Sequence, residues 1–317
     1  MSLTPSSRQL PEFSGDILRR VGALVVLVIV LAIGAWRSPV FLTPENVLNV
    51  FRQNAVLALI AIGMTMVIIA GGIDLSVGSV MARCSVIAVK LAPHGFAVVA
   101  ATAVLTGAVV GFGNGVIVAR LKIAPFIATL LALRGITIAS FGEETVPLNE
   151  GRVAFTAIGR GVWLGVPAQV PIVVVVAVAA HFVQQHTRFG RSVYAVGGNE
   201  DSARLLGLHV ERIKLAVYTI SGALSGLAGV FFAARVAAGI TSYGLGLELD
   251  AITAVALGGT LLTGGVGGTL AGVVLIGFLF NIVNLDASVS PFLQKVVRGL
   301  LLTAVVVIQS SLTRRRR

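Results

Sequence analysis

Asp74 places a carboxylate where carboxylates are rare. It stands in Gly71-Gly72-Ile73-Asp74-Leu75-Ser76-Val77-Gly78-Ser79, between two apolar runs at 54–70 and 75–92. Each run is about long enough to cross a membrane. Hydrocarbon disfavours an unpaired charge and an unpaired backbone, so such a break persists only where protein or a water-filled cavity surrounds it. Two roles suit Asp74. It can cap a helix beginning at Leu75, accepting hydrogen bonds from the free amides of the first turn. It can also line the path of a polar solute or hold a gate. Ser76 and Ser79 can satisfy nearby backbone or meet a solute hydroxyl, and Gly71, Gly72 and Gly78 allow conformations or close approaches that a Cβ would block. The segment is expected to form part of a translocation path or its gate.

A second constellation is Gly197-Gly198-Asn199-Glu200-Asp201-Ser202-Ala203-Arg204-Leu205-Leu206-Gly207. Asn199 is a good N-cap, Glu200 and Asp201 put negative charge on a first turn, and Gly207 is a good C-terminal stop. A capped helix of two turns is expected, with Ala203, Leu205 and Leu206 on its apolar face and Arg188, Arg191, Arg212 and Lys214 flanking it. Such a helix can lie on a membrane surface or dock into a partner protein.

Other chemistries find no support in the chain. The pattern GxxxxGK[ST] is absent, as are GxSxG and HExxH, so no Walker-type ATPase, hydrolase or zinc protease is indicated. The glycine-rich Gly264-Gly265-Val266-Gly267-Gly268 is no phosphate loop. His94, His181, His186 and His209 lack metal-ligand spacing, and the single cysteine, Cys84, sits in an apolar run as packing. No catalytic residue, metal or cofactor is expected. Arg83 and Arg134 fall within apolar segments, where long side chains snorkel toward the interface.

The elements that must hold these residues are membrane helices. Of 317 residues, 56% are hydrophobic and only 12% charged, against about 25% charged in a soluble domain; the mean hydropathy is +0.97. Long apolar runs rather than alternating short ones favour helices over a barrel, and 37 glycines suit close helix packing. Apolar segments occur at 21–35, 54–70, 75–92, 96–119, 124–141, 170–183, 215–236, 249–262, 269–285 and 293–308. The expected fold is therefore an all-α integral membrane protein of about ten transmembrane helices, some broken at glycines. The first segment, with Arg8, Arg19 and Arg20 ahead of it and a small-x-small Ala32-Ile33-Gly34, has the look of a signal peptide. Because further spans follow, it is expected to stay as an uncleaved helix.

The net charge of +11 does not mark a nucleic-acid partner, because most of the 24 basic side chains sit at the ends of apolar runs. Arg8, Arg19, Arg20, Arg120, Lys122, Arg188, Arg191, Arg204, Arg212, Lys214 and Arg314 to Arg317 fall on one side when ten crossings are threaded, which places both termini in the cytoplasm. Residues 1–20 then form a cytoplasmic segment and 21–309 one membrane domain. Within that domain 142–168 is an external loop and 184–214 a cytoplasmic one. The basic tail at 310–317 attracts anionic lipid. A faint internal repeat pairs Ala61-Ile62-Gly63-Met64-Thr65 before Gly71-Gly72 with Ala256-Leu257-Gly258-Gly259-Thr260 before Gly264-Gly265. Small-residue membrane sequence also matches itself by chance.

Three blocks in order resemble bacterial ABC-type sugar importer permeases of the ribose, xylose, arabinose and galactose class. The first is Ala61-Ile62-Gly63-Met64-Thr65 followed by Gly71-Gly72-Ile73-Asp74-Leu75-Ser76-Val77-Gly78. The second runs from Thr187-Arg188-Phe189-Gly190 through Tyr194-Ala195-Val196-Gly197-Gly198-Asn199 to Ala203 and Gly207. The third is Leu249-Asp250-Ala251-Ile252 leading to Gly258-Gly259-Thr260 and Gly264-Gly265-Val266-Gly267. The likeness covers about residues 45–309, and Glu143-Glu144-Thr145-Val146-Pro147-Leu148-Asn149 further resembles a permease of the galactofuranose importer. Arg83-Cys84 departs from the small or apolar residues usual there.

The resemblance implies a subunit without chemistry of its own. A second permease, identical or related, would complete the pore, a separate cytoplasmic ATPase would power it, and a periplasmic binding protein would deliver the sugar. It also makes the helix carrying Asn199, Glu200, Ala203, Leu206 and Gly207 the coupling helix of that ATPase. The alternative is an ATP-independent secondary transporter or facilitator. A coupling-type loop and the lack of a proton-relay pattern count against it.

Overall fold

The computed structural model describes residues 26–130, 145–149, 152–259 and 265–285, with 293, 296, 299, 300 and 303 beyond. The expectations for residues 1–20, for the latter part of 124–141 with Arg134, for Glu143 and Glu144, for Thr260 and Gly264, and for the tail at 310–317 lie outside these residues, as does most of 293–308.

The described chain is built from helices. In order they are α1 (Val26–Arg37), α2 (Pro44–Ile69), α3 (Val77–Leu91), α4 (Phe96–Ala119), α5 (Pro125–Leu130), α6 (Arg152–Arg160), α7 (Gln169–His186), α8 (Arg188–Gly198), α9 (Glu200–Leu205), α10 (Val210–Val236), α11 (Leu247–Leu257) and α12 (Gly265–Leu285). Among the described residues α2, α4, α7, α10 and α12 are long and apolar enough to cross a membrane. Short strands lie at one end: β1 (Thr145–Pro147) pairs antiparallel with β4 (Ala238–Ile240), and β2 (Val162–Trp163) forms a hairpin with β3 (Val166–Pro167).

Not every expected span is one continuous helix. α3 has 15 residues and α11 has 11, or about 22 and 16 Å of helix at 1.5 Å per residue, short of the ~30 Å hydrocarbon core. Each follows a non-helical stretch, residues 70–76 and 241–246. The expected external loop holds α6 and the strands β1, β2 and β3, and the expected loop at 184–214 is mostly helical, occupied by α8, α9 and the ends of α7 and α10. The two halves of the faint repeat sit on different structure: 61–65 lies inside α2, whereas Leu257 ends α11 and Gly258 and Gly259 form a turn.

α2 begins at Pro44, after the Thr43 hydroxyl accepts the Asn46 amide at 3.4 Å. It ends at glycine. The Gly71 amide donates to Ile68 O and the Gly72 amide to Val67 O, at 3.0 and 2.9 Å, with Gly71 at φ +79°. This is the 5→2 and 6→1 pair of a Schellman stop, which needs a residue tolerant of positive φ. α2 is also pinned to α12 at two levels, by a Thr65–Thr269 hydroxyl hydrogen bond of 2.6 Å and by paired side-chain amides of Asn46 and Asn281 at 2.8 and 3.0 Å.

α10 is the hub, packed on α4, α3 and α2. Its contact with α4 is made at glycines. A methyl at Gly107 would overlap the Gly222 carbonyl, one at Gly111 the Tyr218 carbonyl, and one at Gly226 the Ala103 carbonyl. In a membrane, where burial of apolar surface does not drive helices together, such backbone-to-backbone approach supplies the packing energy. Gly113 on the same helix faces open space. Gly113→Ala is therefore expected to be neutral or stabilising by up to about 1 kcal/mol through helix propensity, whereas Gly107→Ala should lower the thermal unfolding midpoint of the detergent-solubilised protein. Equal midpoints for the two variants would contradict this packing.

Candidate functional site

The break between α2 and α3 is held by side chains from three other helices. Asp74 is fully buried. Its Oδ1 accepts the Ser76 amide at 3.0 Å and the Ser76 hydroxyl at 2.6 Å, and its Oδ2 accepts the Ser221 hydroxyl of α10 at 3.0 Å. The Ser76 hydroxyl in turn accepts Asn114 Nδ2 of α4 at 2.8 Å. The Tyr218 hydroxyl of α10 donates to Ile73 O at 3.2 Å, and the Leu75 amide donates to Thr129 Oγ1 of α5 at 3.0 Å. Gly72 lies so close to Tyr218 that an added Cβ would sit 2.6 Å from its hydroxyl.

This geometry corrects one sequence expectation. Asp74 does not cap the first turn of a helix starting at Leu75. α3 starts at Val77, its N-cap position is Ser76, and no side chain caps it. Asp74 instead closes a local turn on Ser76 and spends its second oxygen on α10. Gly78 serves close approach: a methyl there would overlap the Gly244 carbonyl. Ser79 is half-buried on the first turn of α3. Cys84 is buried packing, its thiol directed at Ala103 O at 3.4 Å.

The second constellation forms the expected helix. Asn199 Oδ1 accepts the Ser202 amide at 2.8 Å, which fixes the start of α9. At its end the Gly207 amide donates to Arg204 O at 2.9 Å and the Leu208 amide to Ala203 O at 3.0 Å, with Gly207 at φ +81°, a second Schellman stop. The apolar residues divide rather than share a face. Ala203 is 1% exposed and packs inward, whereas Leu205 and Leu206 are 89% and 79% exposed. Glu200 ties α9 to α10 through Lys214 and bonds Arg204 at 2.9 Å. The hydrogen bonds from Lys214 and then Arg204 hold its carboxyl below the usual carboxylate range.

The two constellations are joined physically. A Cβ on Gly197, at the end of α8, would collide with the Ile69 carbonyl, so α8 abuts the last turn of α2 directly before the break. Along α10, Lys214, Tyr218 and Ser221 follow at i, i+4 and i+7 and share a face. Lys214 takes the α9 tether, and Tyr218 and Ser221 take Ile73 and Asp74. Sequence reading missed Asn114, Thr129, Tyr218 and Ser221. The only signal was polar side chains in apolar runs, which names no partner.

The family described as branched-chain amino acid transport system / permease component matches residues 46–306. The chain is 41% identical over 298 residues to the ribose import permease protein RbsC of Escherichia coli (strain K12), covering 91% of this chain and 92% of the relative. It is 40% identical to the ribose import permease protein RbsC of Bacillus subtilis (strain 168), covering 94% of each. It is 36% identical to the L-arabinose ABC transporter permease protein AraH of Azospirillum brasilense, covering 95% of this chain and 91% of that one. No solved structure matches it. The match over residues 46–306 and relatives aligned almost end to end make the chain a multi-pass inner-membrane protein that belongs to this family of importer permease components.

Proposed function

We propose that the chain is the permease subunit of an ATP-binding-cassette importer that moves a monosaccharide across the inner membrane. A pentose or hexose is the substrate class, galactofuranose included. Relatives named for ribose and L-arabinose import support the sugar class. A separate cytoplasmic ATPase would supply the energy, a second permease would complete the pore, and a periplasmic protein would deliver the sugar. Both termini and 184–214 would face the cytoplasm, with 142–168 outside.

The observation that carries the coupling role is α9. A two-turn helix, capped at both ends, presents Leu205 and Leu206 to solvent while its other side is locked down through Ala203 and Glu200. Exposed leucines on a rigid, well-anchored helix suit insertion into a groove on a partner. Displacement of α9 by the ATPase reaches the break by two routes. One runs through α8 and Gly197 to Ile69, the other through Lys214 along α10 to Tyr218 and Ser221. Asp74 and Ser76 keep the unwound segment in one shape while it is moved, Gly71 makes the turn that ends α2, and Gly72 and Gly78 let the segment pack without side-chain collision.

Three outcomes test this reading. In the intact complex captured through this chain, Leu206→Asp should leave membrane insertion unchanged, strip the ATPase from the complex and abolish uptake of radiolabelled D-ribose, L-arabinose and D-galactose. Undiminished uptake of a sugar that the unsubstituted complex imports would refute the docking role. Asp74→Ala leaves Ser221 and Ser76 without their acceptor, a loss of about 1–3 kcal/mol per orphaned buried group. Uptake should fall at least tenfold with ATPase binding retained, and a fully active Asp74→Ala protein is the adverse result.

The Glu200–Lys214 tether has a pH sign. Because the folded carboxyl lies below its ordinary value of 4.5, the pair contributes fully above that value and is lost as pH falls through the lower folded one. Glu200 is 39% exposed, so solvent screening limits the pair to about 0.2–1 kcal/mol. ATPase retention should hold from neutral pH down to about the usual carboxylate range and weaken below it. Glu200→Gln should remove that acid dependence. A variant with unaltered acid dependence would argue against the tether.

A further inference from the structure

The segment between β4 and α11 descends beside the Asp74 break, and its depth can be fixed against α10. Asp74 meets Ser221 about 16 Å along α10 from Val210, and Met81 meets Gly229 about 28 Å along it, on a helix about 40 Å long. Gly78 lies between those levels, near the middle of the crossing. Gly244 packs on Gly78 backbone to backbone, and an added Cβ at Gly78 would also sit 2.6 Å from Glu248 Oε2. Residues 241–246 are therefore non-helical at depth, and Glu248 on the first turn of α11 carries its carboxylate to the midplane.

That carboxylate is half-buried. Among the described residues its one hydrogen bond is accepted by Oε1 from the Gly246 amide, at 3.2 Å. Five residues earlier, nearer the β4 end, Tyr243 stacks on the fully buried Phe232 with centroids 4.0 Å apart. One face of its ring is thus fixed from behind, and the residue is 43% exposed. Lipid is a poor neighbour for the carboxylate and for the non-helical backbone that carries Tyr243, because at this depth each requires water or polar contact.

We infer that Tyr243 and Glu248 line the sugar path at mid-membrane, with Tyr243 as an aromatic platform for the ring and Glu248 as acceptor for its hydroxyls. The assignment rests on the reading of the chain as a monosaccharide permease. A rigid aromatic face next to a few placed polar groups is the usual composition of a small-molecule site, and a neutral sugar offers an apolar C–H face and hydroxyl donors to match. In order from the β4 end, sugar meets Tyr243, then Glu248, then the Asp74 break. The pair contributes selectivity among sugars, a property the break and α9 do not supply.

The test uses the intact complex in proteoliposomes, with radiolabelled D-ribose, L-arabinose and D-galactose as probes. Tyr243→Ala should raise the KM of the imported sugar at least tenfold and Glu248→Gln should alter the preference among the three, both with ATPase binding unchanged; Tyr243→Phe should restore transport. Tyr243→Cys adds a readout independent of transport, since the only native cysteine, Cys84, is buried. A water-soluble maleimide should label it in the assembled complex, and saturating sugar with binding protein should slow the labelling. Wild-type selectivity and KM in Tyr243→Ala and Glu248→Gln would overturn the assignment. So would labelling that occurs in the isolated chain but not in the complex, which would place the second permease over this face. If the unsubstituted complex imports none of the three sugars while Tyr243→Cys is labelled, the sugar reading fails and the water-lined path stands.

Discussion

The backbone from Gly71 to Ser76 crosses part of the membrane without a helical hydrogen-bond ladder, and much of the fold serves the consequence. In hydrocarbon, amide and carbonyl groups that leave a helix need partners from the protein itself. Here they come from within the break and from helices remote in sequence. Tyr218 meets the Ile73 carbonyl, Thr129 meets the Leu75 amide, and Asp74 meets the Ser76 amide while being held by Ser221. An unwound segment stitched at this many points has a defined shape. It can move as a unit when the helices that hold it move.

This requirement explains the glycines better than composition does. For Asn114 on α4 and Tyr218 and Ser221 on α10 to reach the same few atoms of the break, α4 and α10 must come together at backbone distance. Gly107, Gly111, Gly222 and Gly226 make that approach available. The close packing and the polar clamp are thus one arrangement: side chains as short as serine can hold the break because the helix carrying them is so near.

Sequence alone revealed the parts whose chemistry is local. The Asp74 break was visible because a carboxylate and glycines interrupt apolar runs, and α9 was visible because N-cap, acidic first turn and C′ glycine all lie within nine residues. What stayed hidden depends on contacts remote in sequence. Ser221 is 147 residues from Asp74 and Tyr218 is 145 from Ile73, and no local pattern pairs them. The expected helix cap by Asp74 failed for a related reason: α3 starts only at Val77, so Oδ1 closes a turn on Ser76 while Oδ2 is taken up by Ser221 of a remote helix. The opposed faces of Ala203 and Leu206 were also hidden, because a six-residue helix has too few positions to reveal which side is covered. Apolarity continuing through Gly258 predicts a span over 249–262, whereas α11 stops at Leu257.

α10 resolves how a subunit without chemistry of its own can respond to chemistry elsewhere. Lys214, Tyr218 and Ser221 lie on one helical face, so the helix that anchors α9 is the same helix that grips the break. An α-helix is stiff along its axis, and a displacement applied at Lys214 arrives at Ser221 without being absorbed by a loop. α8 provides a second rigid contact, through Gly197 onto Ile69, at the other side of the same break. Two struts acting at separate points of a short non-helical segment, its start and its middle, can shift or tilt it, whereas one strut would tend to rotate it about its far attachment. In the proposed coupling the glycine at 197 would matter as much as the exposed leucines, because any side chain there would separate α8 from the end of α2.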